Sequence, residues 1–428
     1  PNPTASFSVN DTAQCLGTNN FVFTNKSVGA SGYSWQFGDG GMSTLASPSH
    51  TYGSDGQQNV QLYSTSSEGC QDSASLEVTV YPVPTVTATG DTAICQGDYV
   101  TLDAGTGFLT YLWNNNPLLD TRKITVNNSG QYKVEVTDSN GCHGTDSTLV
   151  TVKALPQPST DGLSNLGSST ATFTATLNGT GASATVSERG FAYKLSSLGG
   201  DPVPMTDSTV NETGSYGTDS FQLTATNLSA ETEYKYRAYA KGTGCNGYGP
   251  TLGFYTLSPE PLGHASLFSA TASTVTQIKL VFTPAGNLGQ ADGYLVLMDI
   301  NAQVAGQPSD GQAYALGSYL GTAKVVANVN STTTDEIYIN GLSPATDYYF
   351  SLVPYNWDGS HTGTYNYRTA ASVPWDSATT VVAPGLSTSP ATANVSPGGI
   401  SLSGNILSLG GENATERGFA HKPYAQAG

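Results

Sequence analysis

Charge is what this 428-residue sequence has least of: 11% of its residues are Asp, Glu, Lys or Arg, against roughly 25% in ordinary soluble domains. Only 15 residues are Lys or Arg, and the net charge is −17. A nucleic-acid partner needs a basic stripe to displace phosphate counterions, and an anionic bilayer surface makes the same demand, so neither is expected as a partner. No run of about 18 apolar residues occurs, so no helical membrane insertion is expected. At Pro1 there is no basic-then-apolar leader. Pro1-Asn2-Pro3-Thr4 reads instead as an interdomain linker, with the natural start expected upstream.

Motifs of catalysis are missing as well: HExxH, GxSxG and GxxxxGK do not occur. Gly242, Gly244 and Gly247 fit GxGxxG, but Tyr248-Gly249-Pro250 follows where a dinucleotide fold needs a helix. The five histidines are scattered, outside any nucleophile motif. Glu231 and Glu233 share one strand face as ordinary solvent patterning. There is no CxxC and no His/Cys cluster, which leaves a metal without a ligand set. The chain is therefore expected to be no enzyme and to carry no cofactor.

What is present is β-structure. Period-two alternation recurs, as in Asn59-Val60-Gln61-Leu62-Tyr63, Tyr132-Lys133-Val134-Glu135-Val136 and Tyr234-Lys235-Tyr236-Arg237-Ala238-Tyr239, and marks strands with one face buried. Asp39-Gly40, Asp55-Gly56, Asn140-Gly141 and Asp292-Gly293 suit tight hairpin turns. No amphipathic helical run stands out. Proline-marked junctions at Pro82/Pro84, Pro156/Pro158, Pro259/Pro261 and Pro384 stop strands and stiffen linkers. They divide the chain into 1–82, 83–156, 157–258, 259–381 and 382–428. Each complete segment has the size of a single β-sandwich. The expected fold is all-β, serial sandwiches in an extended array.

Five cysteines occur, Cys15, Cys70, Cys95, Cys142 and Cys245, and their contexts repeat. Asp11-Thr12-Ala13-Gln14-Cys15-Leu16-Gly17 matches Asp91-Thr92-Ala93-Ile94-Cys95-Gln96-Gly97. Gly69-Cys70, followed by Asp72-Ser73, matches Gly141-Cys142, followed by Asp146-Ser147. Each of the first two segments thus has one cysteine near its start and one near its end. The expected bridges are Cys15–Cys70 and Cys95–Cys142, which imply an oxidising compartment. Cys245 is left over, as a free or buried thiol or else an intermolecular bridge.

In the first segment, Tyr33-Ser34-Trp35-Gln36-Phe37-Gly38-Asp39-Gly40 leads to His50-Thr51-Tyr52. This resembles the PKD (polycystic-kidney-disease) domain, and implies Trp35 and Phe37 in the core with Asp39 in a turn. Asp39 as a calcium ligand is the competing assignment; calcium wants six to eight converging oxygens. The second segment, with Trp113 and Ser129-Gly130-Gln131-Tyr132, is similar to immunoglobulin-like modules. Leu228 to Tyr234 and Leu342 to Tyr348, each with Thr two before the Tyr, resemble the tyrosine corner of fibronectin type III domains. Thr415-Glu416-Arg417-Gly418-Phe419-Ala420 repeats Ser187-Glu188-Arg189-Gly190-Phe191-Ala192, so 382–428 is expected to be an incomplete copy of 157–258, continued past Gly428 or else completed by strands donated from another chain. The whole resembles the multi-domain surface proteins and adhesins of Bacteroidetes.

That resemblance implies a non-catalytic stalk or fibre, extracellular or on the cell surface, whose partners are other copies or other domains of the parent protein and surface glycans. The alternatives are spacer modules of a secreted hydrolase, with the catalytic domain outside this chain, or a carbohydrate-binding module. Aromatic faces can stack on sugars, and Tyr355, Trp357, Tyr365, Tyr367 and Trp375 gather around the hairpin Asp358–Gly363. Tyr355, Trp357 and Trp375 are the candidate stacking residues; packing of the sandwich end is the other role for these rings. Asp followed by Ser or Thr and then Ala, Thr or another small or apolar residue recurs more often than this composition gives by chance, and resembles the O-glycosylation site of Bacteroidetes secreted proteins. The acceptors would be Thr12, Ser73, Thr92, Ser147, Ser208 and Ser377; alternatively the motif simply opens strands and turns.

Overall fold

The computed structural model describes residues 1–286, 290–300, 302–330, 336–383, 385–388 and 404–408. These are almost wholly strands and loops. The only helices among them are the 3-10 turns Ser196–Leu198 and Thr362–Thr364, and no helix is long and apolar enough to cross a membrane. The chain forms two compact units, Pro1–Leu155 and Pro156–Gly428.

The first unit contains two sandwiches. In the first, a three-stranded sheet (Phe7–Val9, Phe21–Asn25, Ser49–His50) faces a five-stranded one. The latter runs Ala13–Cys15, Gln71–Tyr81, Gly56–Thr65, Gly32–Gln36, Met42–Ser43. Alternation places Phe21, Phe23, Trp35, Phe37, Val60, Leu62, Val78 and Val80 between them. The Trp35 indole donates to the Leu45 carbonyl at 2.9 Å, so its one polar atom is satisfied. The second sandwich closes around Leu102, Trp113, Ile124, Val134, Val136 and Val150. Its four-stranded sheet is Thr110–Trp113, Gly130–Thr137, His143–Lys153 and Thr92–Cys95. In both domains the short cysteine-bearing strand runs parallel to the last strand: Cys15 lies opposite Tyr81, and Cys95 opposite Lys153.

This register overturns the expected disulfides. Cys15 bonds Cys142, with Cα atoms 5.5 Å apart, and Cys70 is a free, exposed thiol. Cys15 sits at the exit end of the strand Gln71–Tyr81, whereas Cys70 precedes its other end. Eleven residues of strand put the two on the order of 35 Å apart, far beyond the roughly 7 Å that a bridge spans. The same eleven-residue length of His143–Lys153 separates Cys95 from Cys142. Cys245, expected to be a free or buried thiol or else an intermolecular bridge, is buried and disulfide-bonded.

In the second unit, the strands Pro158–Leu166, Ala171–Leu177 and Ser220–Ala225 face a sheet built on Ser208–Tyr216, Val186–Leu195 and Glu233–Lys241. Phe173, Phe191, Tyr236 and Phe254 fill the space between. Gly242 and Gly244 lie in the tight turn after Lys241, and Gly247 in the short strand Asn246–Tyr248, so the GxGxxG match is a hairpin. The next sandwich pairs Ser266–Thr274, Gln277–Thr283 and Glu336–Asn340 against a six-stranded sheet centred on Gly293–Asp299 and Asp347–Asn356. Both tyrosine corners form. The Ser229 and Ser343 amides donate to the Tyr234 and Tyr348 hydroxyls at 3.1 and 2.9 Å. Each corner carries a buried threonine that the sequence did not announce. Thr256 and Thr380 donate to the Ser229 and Ser343 carbonyls, both at 2.6 Å, and accept from the Thr232 and Thr346 amides. Of 382–428, the hairpin Gly385–Thr388 with Gly404–Ser408 is described; the repeated Glu416-Arg417 motif lies outside the described residues.

Candidate functional site

The six-stranded sheet is covered on both faces, which decides the fate of the aromatic cluster. One face meets the inter-sheet core around Tyr294, Val296, Phe350 and Leu352. On the other face, Leu295, Leu297 and Val353 pack with Tyr355, Tyr365 and Tyr367 under the segments following Asp299 and Asn356. Tyr355, Tyr365 and Tyr367 are 3%, 7% and 3% exposed. The Tyr355 hydroxyl donates to Asn328 at 2.6 Å, and burial pushes its pKa up to about 12. Trp357 is half-buried and stacks on Tyr365 at 4.9 Å. These rings pack the sandwich. Their hairpin is held by Asp358, which accepts from the Ser360 and His361 amides at 2.8 and 2.7 Å and pairs with the His361 ring at 2.6 Å.

Trp375 differs. It begins the strand Trp375–Thr379, opposite Ser351, and is 48% exposed. It lines a cavity of about 240 Å³ together with Gln303, Gln307, Ser351, Ser372 and Val353. An accessible indole beside carboxamides and hydroxyls is the chemistry that takes up a polyhydroxylated ring: the face stacks on C–H groups while the amides exchange hydrogen bonds with hydroxyls.

In the first domain Asp39 serves its turn. Its Oδ1 accepts from the Gly41 amide at 2.9 Å, and its Oδ2 pairs with His50 Nε2 at 2.8 Å. Burial opposes the charge, but the His50 and Gly41 hydrogen bonds outweigh it and hold the carboxyl below its ordinary range. The His50 ring stacks on Phe37 at 4.2 Å, and the Tyr52 hydroxyl donates to the Phe37 carbonyl at 2.8 Å. A side chain at Gly41 would meet His50 at 2.7 Å. Phe37, Asp39, Gly41, His50 and Tyr52 of the turn motif thus each have a structural task. Among the described residues no group of three or more His, Cys, Asp or Glu is placed to hold a metal.

Of the six glycan-acceptor candidates, Thr12, Ser73, Ser147, Ser208 and Ser377 are exposed and Thr92 is half-buried. The aspartate before each accepts a backbone amide. Asp72, Asp146 and Asp376 bind the amides of Ala5, Ala88 and Ala270 at 2.8, 2.9 and 2.8 Å, each tying the opening segment of its domain to the last strand. Asp11, Asp91 and Asp207 bind those of Ala13, Leu149 and Val203. The aspartates of the motif therefore have a fold-building role, and the Ser147 hydroxyl accepts from the Gln131 side-chain amide at 3.1 Å.

Residues 1–80 match the family model of the PKD domain. Over this part the chain is similar to the PKD1 domain of the Vibrio cholerae metalloprotease PrtV, at 26% identity, covering 19% of this chain and 99% of that one, with a TM-score of 0.17. The PKD1 domain of Vibrio anguillarum Epp is similar at 27% identity, covering 19% and 96%, TM-score 0.17. The FN1–FN3 domains of chicken CNTN1 align at 12% identity over 69% of this chain and 97% of theirs, TM-score 0.29. No curated protein matches the chain. With the sheets described above, the chain is a series of β-sandwich domains, the first of which, residues 1–80, matches the PKD domain. Modules of these kinds are typically structural or spacer elements.

Proposed function

We propose that the chain is a non-catalytic stalk segment of an extracellular, cell-surface protein, whose serial sandwiches hold an adhesive or catalytic part away from the cell. The observation that carries this is the covalent tie between consecutive domains, Cys15–Cys142. Such a bond takes tension off the linker at Pro82–Pro84 and requires an oxidising compartment. Antibodies against residues 1–155 should label intact cells of the source organism. Recovery of the parent protein only from the medium, with a hydrolase domain in the same chain, would replace the stalk with the spacer alternative. The O-glycan acceptors belong to the same proposal; natively sourced protein whose intact mass equals the bare sequence would remove them.

A second reading, glycan binding by the fourth domain, is favoured by exposed Trp375 at its amide-lined cavity. Glycan-array binding abolished by Trp375→Ala, with Trp357→Ala scored separately for folding, would support it. Unchanged binding by Trp375→Ala, or none by the wild type, would refute it.

A further inference from the structure

The first two domains carry the same pair of cysteine positions. One is the exit cysteine on the short parallel strand: the Leu16 amide donates to Tyr81 O at 2.8 Å, and the Gln96 amide to Lys153 O at 2.9 Å. Both lie beside the point where the chain leaves its domain for a proline linker. The other is the turn cysteine of the last hairpin. The Ser66 amide donates to Cys70 O at 2.9 Å and Gly69 to Ser66 O at 3.1 Å; in the second domain Asp138 donates to Cys142 O at 3.0 Å and Gly141 to Asp138 O at 3.1 Å. The observed bond joins the exit cysteine of one domain to the turn cysteine of the next. Cys70 is that same turn cysteine in the first domain, exposed and unbonded.

A second repeat concerns how the domain is entered. Pro1-Asn2-Pro3-Thr4 matches Pro82-Val83-Pro84-Thr85, the linker that carries the chain from the first domain into the second. The segment after it is seated on an aspartate of the last strand in both, through the amide of Ala5 on Asp72 and, two residues further along, that of Ala88 on Asp146. The linker, the seat and the turn thiol that receive an upstream domain at residue 82 are all present again at residue 1.

We propose that Cys70 is the attachment point for a preceding sandwich of the same parent chain, bonded to that module's exit cysteine as Cys142 is to Cys15. Successive modules are then riveted exit to turn along the protein. In forming the bond, the two thiols lose two protons and two electrons to a disulfide oxidant such as oxidised glutathione, which leaves as two thiols.

The test adds a second copy of residues 1–81 directly before Pro1 of the full chain, so that Tyr81-Pro1-Asn2-Pro3 reproduces Tyr81-Pro82-Val83-Pro84. The added copy carries Thr18→Ser and Glu68→Asp at exposed positions, so that its cysteine peptides differ in mass from the originals, and the protein is refolded in a glutathione couple, alkylated without reductant and peptide-mapped. Expected are a bond from the added copy's Cys15 to the original Cys70, retention of Cys15–Cys142, and alkylation of the added copy's Cys70 alone. Cys15→Ser in the added copy should return the original Cys70 to the alkylated pool. Alkylation of the original Cys70 in molecules that hold Cys15–Cys142, or a Cys70–Cys70 dimer, would overturn the proposal. Should the fusion not fold, mapping of the natively sourced parent decides. Cys70 joined to a cysteine upstream of Pro1 supports the proposal, and a free Cys70 refutes it. The idea rests on the serial-module function above, yet a free Cys70 would leave that function standing, because Cys15–Cys142 does not depend on it.

Discussion

Removing the Cys15–Cys142 bridge should destabilise two domains at once. The bond closes a loop with a sequence separation of 127 residues; chain-entropy reasoning gives about 5 kcal/mol if both domains unfold together. The domains can also unfold singly. With the second domain folded, the slack is the stretch from Cys15 to Tyr81, about 66 residues, worth about 4 kcal/mol. With the first folded, the stretch from Pro82 to Cys142, about 60 residues, gives nearly the same. For domains of this size each kcal/mol moves the midpoint by about 4–8 °C, so both transitions should fall on the order of 15 °C or more. Residual structure in the unfolded chain lowers these figures. The assay is differential scanning calorimetry of the full chain against Cys15→Ser/Cys142→Ala. The two transitions belonging to residues 1–155 should drop together, while those of the second unit stay in place. Cys70→Ser should change nothing. A Cys70→Ser variant as damaged as Cys15→Ser, or a loss confined to one domain, would refute the reasoning and restore bridges within domains.

Tyr234→Phe and Tyr348→Phe should each cost about 1–2 kcal/mol in their own domain, since the Ser229 or Ser343 amide loses its acceptor; urea titration with no change in midpoint would contradict this. Arg189 is buried, pairs with Glu212 and Asp219 and lies over the Tyr216 ring at 4.2 Å. Arg189→Ala should cost about 2–3 kcal/mol, less than a fully buried pair because both carboxylates reach solvent, and retention of wild-type stability would count against it. Asp39 has a lowered pKa in the folded state. Its stabilisation of the first domain is therefore complete above the ordinary value of 3.8 and is lost as pH falls through the lower folded value. Asp39→Asn should flatten the acid limb of that domain's stability; an unchanged limb would show that other carboxylates carry it.

The sandwiches, their core rings and their corners were legible because they are encoded locally. Alternation assigns Trp35, Phe37, Trp113 and Tyr236 to an inner face whichever sheet receives them, and the Leu-to-Tyr spacing marks a corner by the geometry of one strand entry. Thr256 and Thr380 escaped notice because a threonine in a Thr-rich chain carries no signal; only the corner it plugs, 27 and 37 residues from its serine partner, makes it visible. Trp357 and Trp375 were indistinguishable in the sequence, since both are tryptophans flanking the same Asp358–Gly363 loop region with no local pattern to tell them apart. The covering of the six-stranded sheet's second face half-buries one and leaves the other at a cavity.

The cysteines divide the two kinds of information most cleanly. The duplicated contexts, by themselves, established that Cys15 is equivalent to Cys95 and Cys70 to Cys142, and the structure agrees: one pair ends parallel strands, the other closes hairpin turns. Equivalence says nothing about pairing. A disulfide needs Cα atoms within about 7 Å, and that distance is set by the register of a strand and the placement of the next domain. An eleven-residue strand separates the two cysteines of each domain and brings the exit of one to the turn of its successor, so tertiary structure alone turned two apparent intradomain staples into a bond between domains.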